Sequence, residues 1–135
     1  MSAVEVLKEW MKTLLKNRDI SDRNILSFED NGSDFVVKRK DCDWFVFVRS
    51  ELDGVSDFLR QGKVIVVTLN LRKNVDFLFA NWSSLAKLDQ LCFYFVNPAI
   101  NERWVIYPAT HDKIADKASL KQGLESLFLS VPESQ

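Results

Sequence analysis

The chain has 135 residues, of which 47% are hydrophobic and 27% are charged, and its formal net charge is −1. This length is typical of one domain, and the hydrophobic fraction is large enough to form a core, so the composition excludes a disordered chain. The nearly neutral charge removes the broad argument for a nucleic-acid-binding protein but leaves room for a local basic patch. We expect one domain over residues 1–135, with a frayed tail at residues 131–135.

Membrane and secretion signals are not found in the sequence. No apolar run approaches the roughly 20 residues that cross a bilayer, and the first residues lack the charged and apolar regions of a signal peptide. The two cysteines, Cys42 and Cys92, fit no metal-binding or redox spacing. We therefore expect two reduced thiols in a cytoplasmic protein that has no membrane partner.

The chain begins with a predicted amphipathic helix over residues 3–17. Ser2 and Glu5 have the spacing of a capping box, in which the serine oxygen accepts from the amide three residues later. Apolar side chains then recur at intervals of three and four residues, as on one face of a helix. These residues are Val4, Leu7, Trp10, Met11, Leu14 and Leu15. A polar connector is expected over residues 17–24.

Three strands joined by tight turns are predicted next, as an antiparallel meander over residues 25–29, 35–40 and 44–49. The first turn contains Asn31 and Gly32, a pair that adopts positive φ at low cost. The third strand, which begins at Trp44, is apolar on both faces. That pattern indicates a central strand that is covered on both sides.

The second half of the chain alternates further strands and helices. Residues 52–62 could form one or two helical turns ending at Gly62. The later elements are a strand at 63–71, a helix at about 74–88, strands at 91–96 and 103–107, and a helical region that ends near 131. Asn74, Thr110 and Ser119 are candidate helix caps, and the middle helix could instead begin only at Ser83 or Ser84, with that serine as its cap.

These elements predict an α+β fold with three layers. A mixed central sheet of about five to six strands would be flanked by an N-terminal, a middle and a C-terminal helix, in the order α-β-β-β-β-α-β-β-α.

This order, with Asp34 before one strand and Phe47-Val48-Arg49 at the end of the next, resembles the PD-(D/E)xK, restriction-endonuclease-like nuclease fold. The family motif is an aspartate followed by Glu/Asp-x-Lys across a hairpin. The resemblance implies nucleic-acid binding and a Mg²⁺ or Mn²⁺ site at Asp34, with Arg49 in the place of the lysine. Phe47 cannot supply the second carboxylate, although Glu51 or Asp53 could move into that role. The resemblance therefore implies a degenerate member without catalysis.

The hairpin also carries a small basic cluster beside an aromatic ring. Lys38, Lys40 and Arg49 with Trp44 offer the charges and the stacking surface of a nucleic-acid platform. Three aspartates flank the cluster and offset its field: Asp34, Asp41 and Asp43. An ordinary solvated hairpin end with surface ion pairs explains the same residues and is the interpretation that the net charge favours.

The remaining features favour binding over catalysis. His111 is the only histidine, and no glycine-rich phosphate loop is present. The strand around Trp104 has large residues on both faces, so either the C-terminal helix or a second copy of the chain should cover it. We expect a non-catalytic protein-interaction or scaffold module with an unknown protein partner or as a homodimer, and with no cofactor. The alternative is a degenerate nuclease-like domain that binds nucleic acid and a divalent metal.

Overall fold

The computed structural model describes residues 1–54, 60 and 62–134. It has the expected α+β class, with a mixed sheet of six strands. The elements are α1 (Ala3–Asp22), β1 (Ile25–Asn31), β2 (Asp34–Arg39), β3 (Trp44–Arg49), β4 (Lys63–Leu69), α2 (Arg72–Ala80), α3 (Trp82–Leu85), β5 (Leu91–Asn97), β6 (Glu102–Ile106), α4 (Pro108–Ile114) and α5 (Lys117–Leu129). The middle and C-terminal helical regions are therefore each divided in two. The helical turns expected within residues 52–62 fall largely on residues outside those described.

The strands lie across the sheet in their chain order, from β1 to β6. β1, β2 and β3 form the predicted antiparallel meander, β3, β4 and β5 are parallel, and β6 returns antiparallel to β5. Parallel strands need cover on both faces. One face packs against α1 through Leu7, Met11 and Leu15, and the other packs against α2 to α5. None of the helices that the structure describes combines the length and apolar character that a membrane crossing requires.

Helix α1 begins as predicted but is longer than predicted. The Ser2 side chain accepts a hydrogen bond from the amide of Glu5, as a helix cap does. The helix continues to Asp22 and ends at Arg23, whose φ of 51° is left-handed. The connector expected over residues 17–24 was therefore wrong for most of its length. Within this segment the guanidinium of Arg18 bonds the hydroxyl of Tyr94, and the carboxylate of Asp19 accepts from the amides of Asn24 and Ile25, which follow the helix.

Asn74 does not cap the middle helix, as its position in the sequence suggested. It lies inside α2 and is fully buried. Its side-chain oxygen accepts from the amide of Leu52 at 2.9 Å, and its nitrogen donates to the carbonyls of Ser50 and Leu69. The same nitrogen reaches the hydroxyl of Thr68 at 3.0 Å. The Asn74 side chain thus provides hydrogen-bond partners for buried backbone groups at the ends of β3 and β4. A local sequence pattern cannot reveal these tertiary bonds.

The C-terminal region corrects two further cap assignments. Thr110 lies within α4, which begins at Pro108, a residue that suits the first helical position. The N-cap of α5 is Asp116, whose carboxylate accepts from the amide of Ser119. Ser119 is therefore the residue whose amide is capped and is not itself the cap. Asp112, two residues after Thr110, accepts from the indole nitrogen of Trp82 at 2.9 Å and ties α4 to α3.

Trp104 is covered by the protein itself. Its ring stacks on Phe95 with centroids 4.1 Å apart, and its indole nitrogen donates to Asn70 at 2.8 Å. Both rings belong to the core cluster that includes α5 residues, so the C-terminal helix provides the cover expected for this strand. The prediction of a frayed tail is wrong for residues 131–134, because Val131 and Ser134 are buried. The Asn70 side-chain nitrogen donates to the carbonyl of Val131, and the backbone carbonyl of Asn70 accepts from the amide of Ser134.

We expect the Asn74→Ala variant to lose about 2–4 kcal/mol of unfolding free energy, measured by urea denaturation. The substitution leaves a buried amide and carbonyls without partners, and each unsatisfied group costs roughly 1–3 kcal/mol. Asn81→Ala is the matched control, since the Asn81 side chain donates one bond, to the carbonyl of Phe77, and is only partly buried. Equal losses in the two variants would contradict the role assigned to Asn74.

Candidate functional site

The residues proposed for a nuclease-like metal site form a closed ion pair instead of an open carboxylate site. One oxygen of Asp34 accepts from the amide of Val48 at 2.9 Å and from the guanidinium of Arg49 at 2.6 Å. Glu51 lies elsewhere and pairs with Lys73 of α2. Among residues 1–54, 60 and 62–134, no three histidine, cysteine or acidic side chains are grouped so as to hold a metal ion. The structure therefore pairs Asp34 with Arg49, and Glu51 with a different cation, Lys73.

The residues proposed for nucleic-acid binding do not share one surface. Trp44 lies opposite Val37 on the face of the sheet that packs against α1. Lys38 follows Val37, so strand alternation directs it to the other face, where it pairs with Asp43 at 2.9 Å. The hydrogen bond with Asp43 raises the pKa of Lys38. Arg49 is on that second face with Asp34. Lys40 is exposed next to the turn.

A different set of cations converges beneath the C-terminal half of α1. A cleft of about 170 Å³ lies there, at the edge of the sheet where β3 and β4 begin. Its wall contains three cationic side chains, two phenols and one indole. These residues are Arg18, Arg39, Lys63, Tyr94, Tyr107 and Trp44. Two carboxylates, Asp19 and Asp22, line the same wall. We refer to this space as the cleft.

The sheet topology explains why these residues meet. Trp44 and Lys63 are the first residues of β3 and β4 and lie side by side in the parallel register. Arg39 ends β2, which runs in the opposite direction, and Tyr107 directly follows β6, which also runs in the opposite direction. All four positions therefore fall at one edge of the sheet. Arg18 comes from the last turns of α1, which cross above this edge.

Each of two cations in the cleft is hydrogen-bonded to a phenol. The guanidinium of Arg18 donates to the hydroxyl of Tyr94 at 2.8 Å, and the ammonium of Lys63 donates to the hydroxyl of Tyr107 at 3.0 Å. The Lys63 nitrogen also lies 4.6 Å from the Tyr107 ring centroid. A phenol oxygen that accepts a hydrogen bond still has a proton to donate to another group. The pairs therefore orient cations and hydroxyl donors together.

The ion pairs of the cleft distinguish its three cations. Within the described part of the chain, neither Arg18 nor Lys63 forms an ion pair with a carboxylate. Arg39 differs, because it pairs with Asp41 at 3.1 Å while its guanidinium stacks 3.9 Å from the centre of the Trp44 ring. The acid nearest to Arg18 in the chain, Asp19, uses both carboxylate oxygens to accept backbone amides. An anion in the cleft would therefore pair with Arg18 and Lys63, while Asp19 and Asp22 in the same wall offset part of their positive charge.

Two buried acids beside the cleft keep their protons at neutral pH. Burial raises the pKa of Tyr94, against the opposing effect of the Arg18 charge. Burial also raises the pKa of the Cys92 thiol, on the same strand. A thiol with a raised pKa is a poor nucleophile, because the thiolate is the reactive form. Tyr94, which lines the cleft, therefore keeps a neutral hydroxyl group there at neutral pH.

The sequence signals identified one part of the cleft only. Trp44 was a candidate binding residue, but its predicted partners were the neighbouring lysines of the hairpin. Arg18 was expected in a polar connector, and Lys63 appeared only as the start of a buried strand. The sequence signal that could have located the cleft is a charged residue directly before an apolar run, such as Lys63. It indicates a site only when the strand order shows which other strand ends lie beside it.

No protein-family model, curated protein or solved structure matches the chain. Its function is therefore argued from the geometry and charge of the cleft.

We expect the phenol of Tyr94 to titrate above pH 10, the usual value for tyrosine. The chain has two tyrosines, so the Tyr107→Phe variant leaves Tyr94 as the sole reporter of phenolate absorbance. Because the pKa of Tyr94 is higher in the folded state, its protonated form contributes to the free energy of unfolding. This contribution is complete below about pH 10 and is lost as the pH rises through the folded-state pKa. The Arg18→Gln substitution should raise this pKa further, because the Arg18 charge lowers it.

The control for the tyrosine titration is the same variant unfolded in urea, which should titrate near pH 10. A folded protein with the same midpoint as the unfolded control would contradict the burial assigned to Tyr94.

Proposed function

We propose that this protein is a non-catalytic interaction domain that binds an anionic group of a partner in the cleft. The observation that carries the proposal is the pair of cations, Arg18 and Lys63, whose hydrogen-bond partners there are phenols and not carboxylates. Arg39 and Trp44 complete the wall of the same space. An anion in the cleft would receive charged hydrogen bonds, each of which contributes roughly 1.5–3 kcal/mol.

The size of the cleft indicates which kind of anion fits. Its volume of about 170 Å³ is smaller than the roughly 300–1,000 Å³ of pockets that enclose small-molecule ligands and cofactors. A single carboxylate or phosphate group fits such a space, whereas an entire nucleotide or organic cofactor would extend beyond it. We therefore infer that the anionic group belongs to a larger partner, most of which lies outside the cleft.

The described residues give no support to the nuclease-like alternative. Asp34 is occupied by Val48 and Arg49, and Glu51 by Lys73, so the proposed ligands of Mg²⁺ or Mn²⁺ do not converge. The lysines of the hairpin are also divided from Trp44 by the sheet. We therefore do not propose a metal cofactor or a nucleic-acid partner.

The state of the cysteines supports a reducing compartment such as the cytoplasm. Cys42 is exposed and Cys92 is buried, and neither is in a disulfide. Unpaired thiols are usual where glutathione and thioredoxin keep cysteines reduced.

We expect inorganic phosphate and acetate to perturb the amide and indole NMR signals of the cleft, with phosphate binding more tightly because it carries more charge. The Lys63→Gln and Arg18→Gln variants should each weaken phosphate binding about tenfold, which corresponds to 1.4 kcal/mol. Binding should also weaken as the salt concentration rises, since the cleft is open to solvent.

The matched control for phosphate binding is Lys113→Gln, which removes an exposed lysine from α4. This variant should bind phosphate as the unaltered protein does. Phosphate-dependent shifts that lie outside the cleft, or that survive both cleft substitutions, would overturn the proposed function.

A further inference from the structure

A second concave surface adjoins the cleft. It is a groove of about 480 Å³ between the C-terminal half of α1 and the edge strand β1. The groove and the cleft share Asp19 and Ile25 in their walls. A ligand that enters the cleft therefore passes directly beside the groove.

The groove exposes two large aliphatic side chains. Ile20 of α1 is 71% exposed and Leu26 of β1 is 63% exposed. The β1–β2 register shifts between Ile25 and Ser27, a β-bulge at Leu26. Bulges redirect side chains and are frequent at sheet edges. Adjacent exposed aliphatic groups in a concave surface are typical of a site that another molecule covers.

The rim of the groove is cationic. Lys16 and Arg23 line it, and in the described ranges neither forms an ion pair with a carboxylate. The earlier lysines of the same helix differ, because Lys8 and Lys12 both pair with Asp30 at 3.3 and 2.7 Å. The cations of α1 that lack a carboxylate partner among the described residues therefore lie near its C-terminal end, where Asp19 and Asp22 offset part of their charge.

We infer that the partner is an acidic protein segment that uses both surfaces at once. A carboxylate or phosphate of the segment enters the cleft, and a large apolar side chain nearby packs on Ile20 and Leu26 in the groove. This inference rests on the proposed function, because it takes the cleft as the anion site. Clustered cations that read an acidic or phosphorylated motif are an established mode of peptide recognition.

The groove favours a protein segment over a nucleic acid. Single-stranded nucleic acids bind through aromatic rings on which bases stack. The most exposed large groups of the groove are instead the aliphatic Ile20 and Leu26. The aromatic ring in its wall, Phe28, is partly buried and already has the ammonium groups of Lys12 and Lys16 over it. An apolar side chain buried there would contribute roughly 1.5–3 kcal/mol, comparable to one charged hydrogen bond in the cleft.

The inference is tested by the affinity of synthetic peptides, measured by fluorescence anisotropy. Each peptide carries one phosphoserine and one leucine, separated by about two to four residues, since an extended chain spans roughly 3.3 Å per residue. Companion peptides replace leucine with alanine, phosphoserine with glutamate, or phosphoserine with serine. We expect the loss of either anchor to weaken binding about tenfold. The glutamate peptides show whether a carboxylate suffices or a phosphate is needed.

The protein variants separate the two surfaces. Ile20→Asp and Leu26→Asp should remove the advantage of the leucine peptides over the alanine peptides, while inorganic phosphate still binds in the cleft. Ile114→Asp is the matched control, because Ile114 is 80% exposed on α4 and lies outside both surfaces. Each variant replaces an exposed side chain, and its thermal unfolding verifies that it is folded.

Three results would overturn the inference. If phosphate binds in the cleft but the leucine of the peptides adds no affinity, the inferred acidic segment is wrong and the proposed function stands. If phosphate does not bind in the cleft either, both the inference and the proposed function are wrong. Tighter binding of a single-stranded oligonucleotide than of any peptide would assign the surface to nucleic acid. Self-association in sedimentation experiments that Leu26→Asp abolishes would assign the groove to a second copy of the chain.

Discussion

Strand β4 is buried on both faces, and the rest of the fold follows from this constraint. Every residue from Val64 to Leu69 is buried, so a helical layer must cover each side of the sheet. Helix α1 forms one layer, and α2 to α5 form the other. The polar residues along and beside β4 are confined to the ends of the strand. Asn70 and Asn74 satisfy the backbone at the carboxyl end, and Lys63 lies at the amino end.

This division explains the unusual position of the cleft. Ligands of parallel α/β sheets commonly bind at the carboxyl ends of the strands. Here residues 131–134 pack against that end, where Asn70 binds the carbonyl of Val131 and the amide of Ser134. Among the described residues, the last turns of α1 extend over the amino end and leave the cleft beneath them. The cations and phenols collected at this edge are therefore directed into an open space.

The sequence predicted the strands well because their signal is local. Residues 44–48 and 64–67 are apolar on both faces, which identified two central strands. The caps were predicted poorly, because Asn74 and Thr110 have tertiary roles that their neighbours do not encode. The cleft could not be predicted, since Arg18 and Tyr107 come from opposite ends of the chain. Only the strand order, with β6 next to β5 and α1 above them, brings such residues together.

The most direct test of the account is the position of an oxyanion in crystals of the protein. Selenate resembles phosphate in charge and shape, and its selenium atom is located by anomalous scattering. The account predicts an anomalous peak in the cleft, within hydrogen-bond distance of both Arg18 and Lys63. Selenate bound at other surfaces, with the cleft empty at concentrations that saturate the protein in solution, would contradict it.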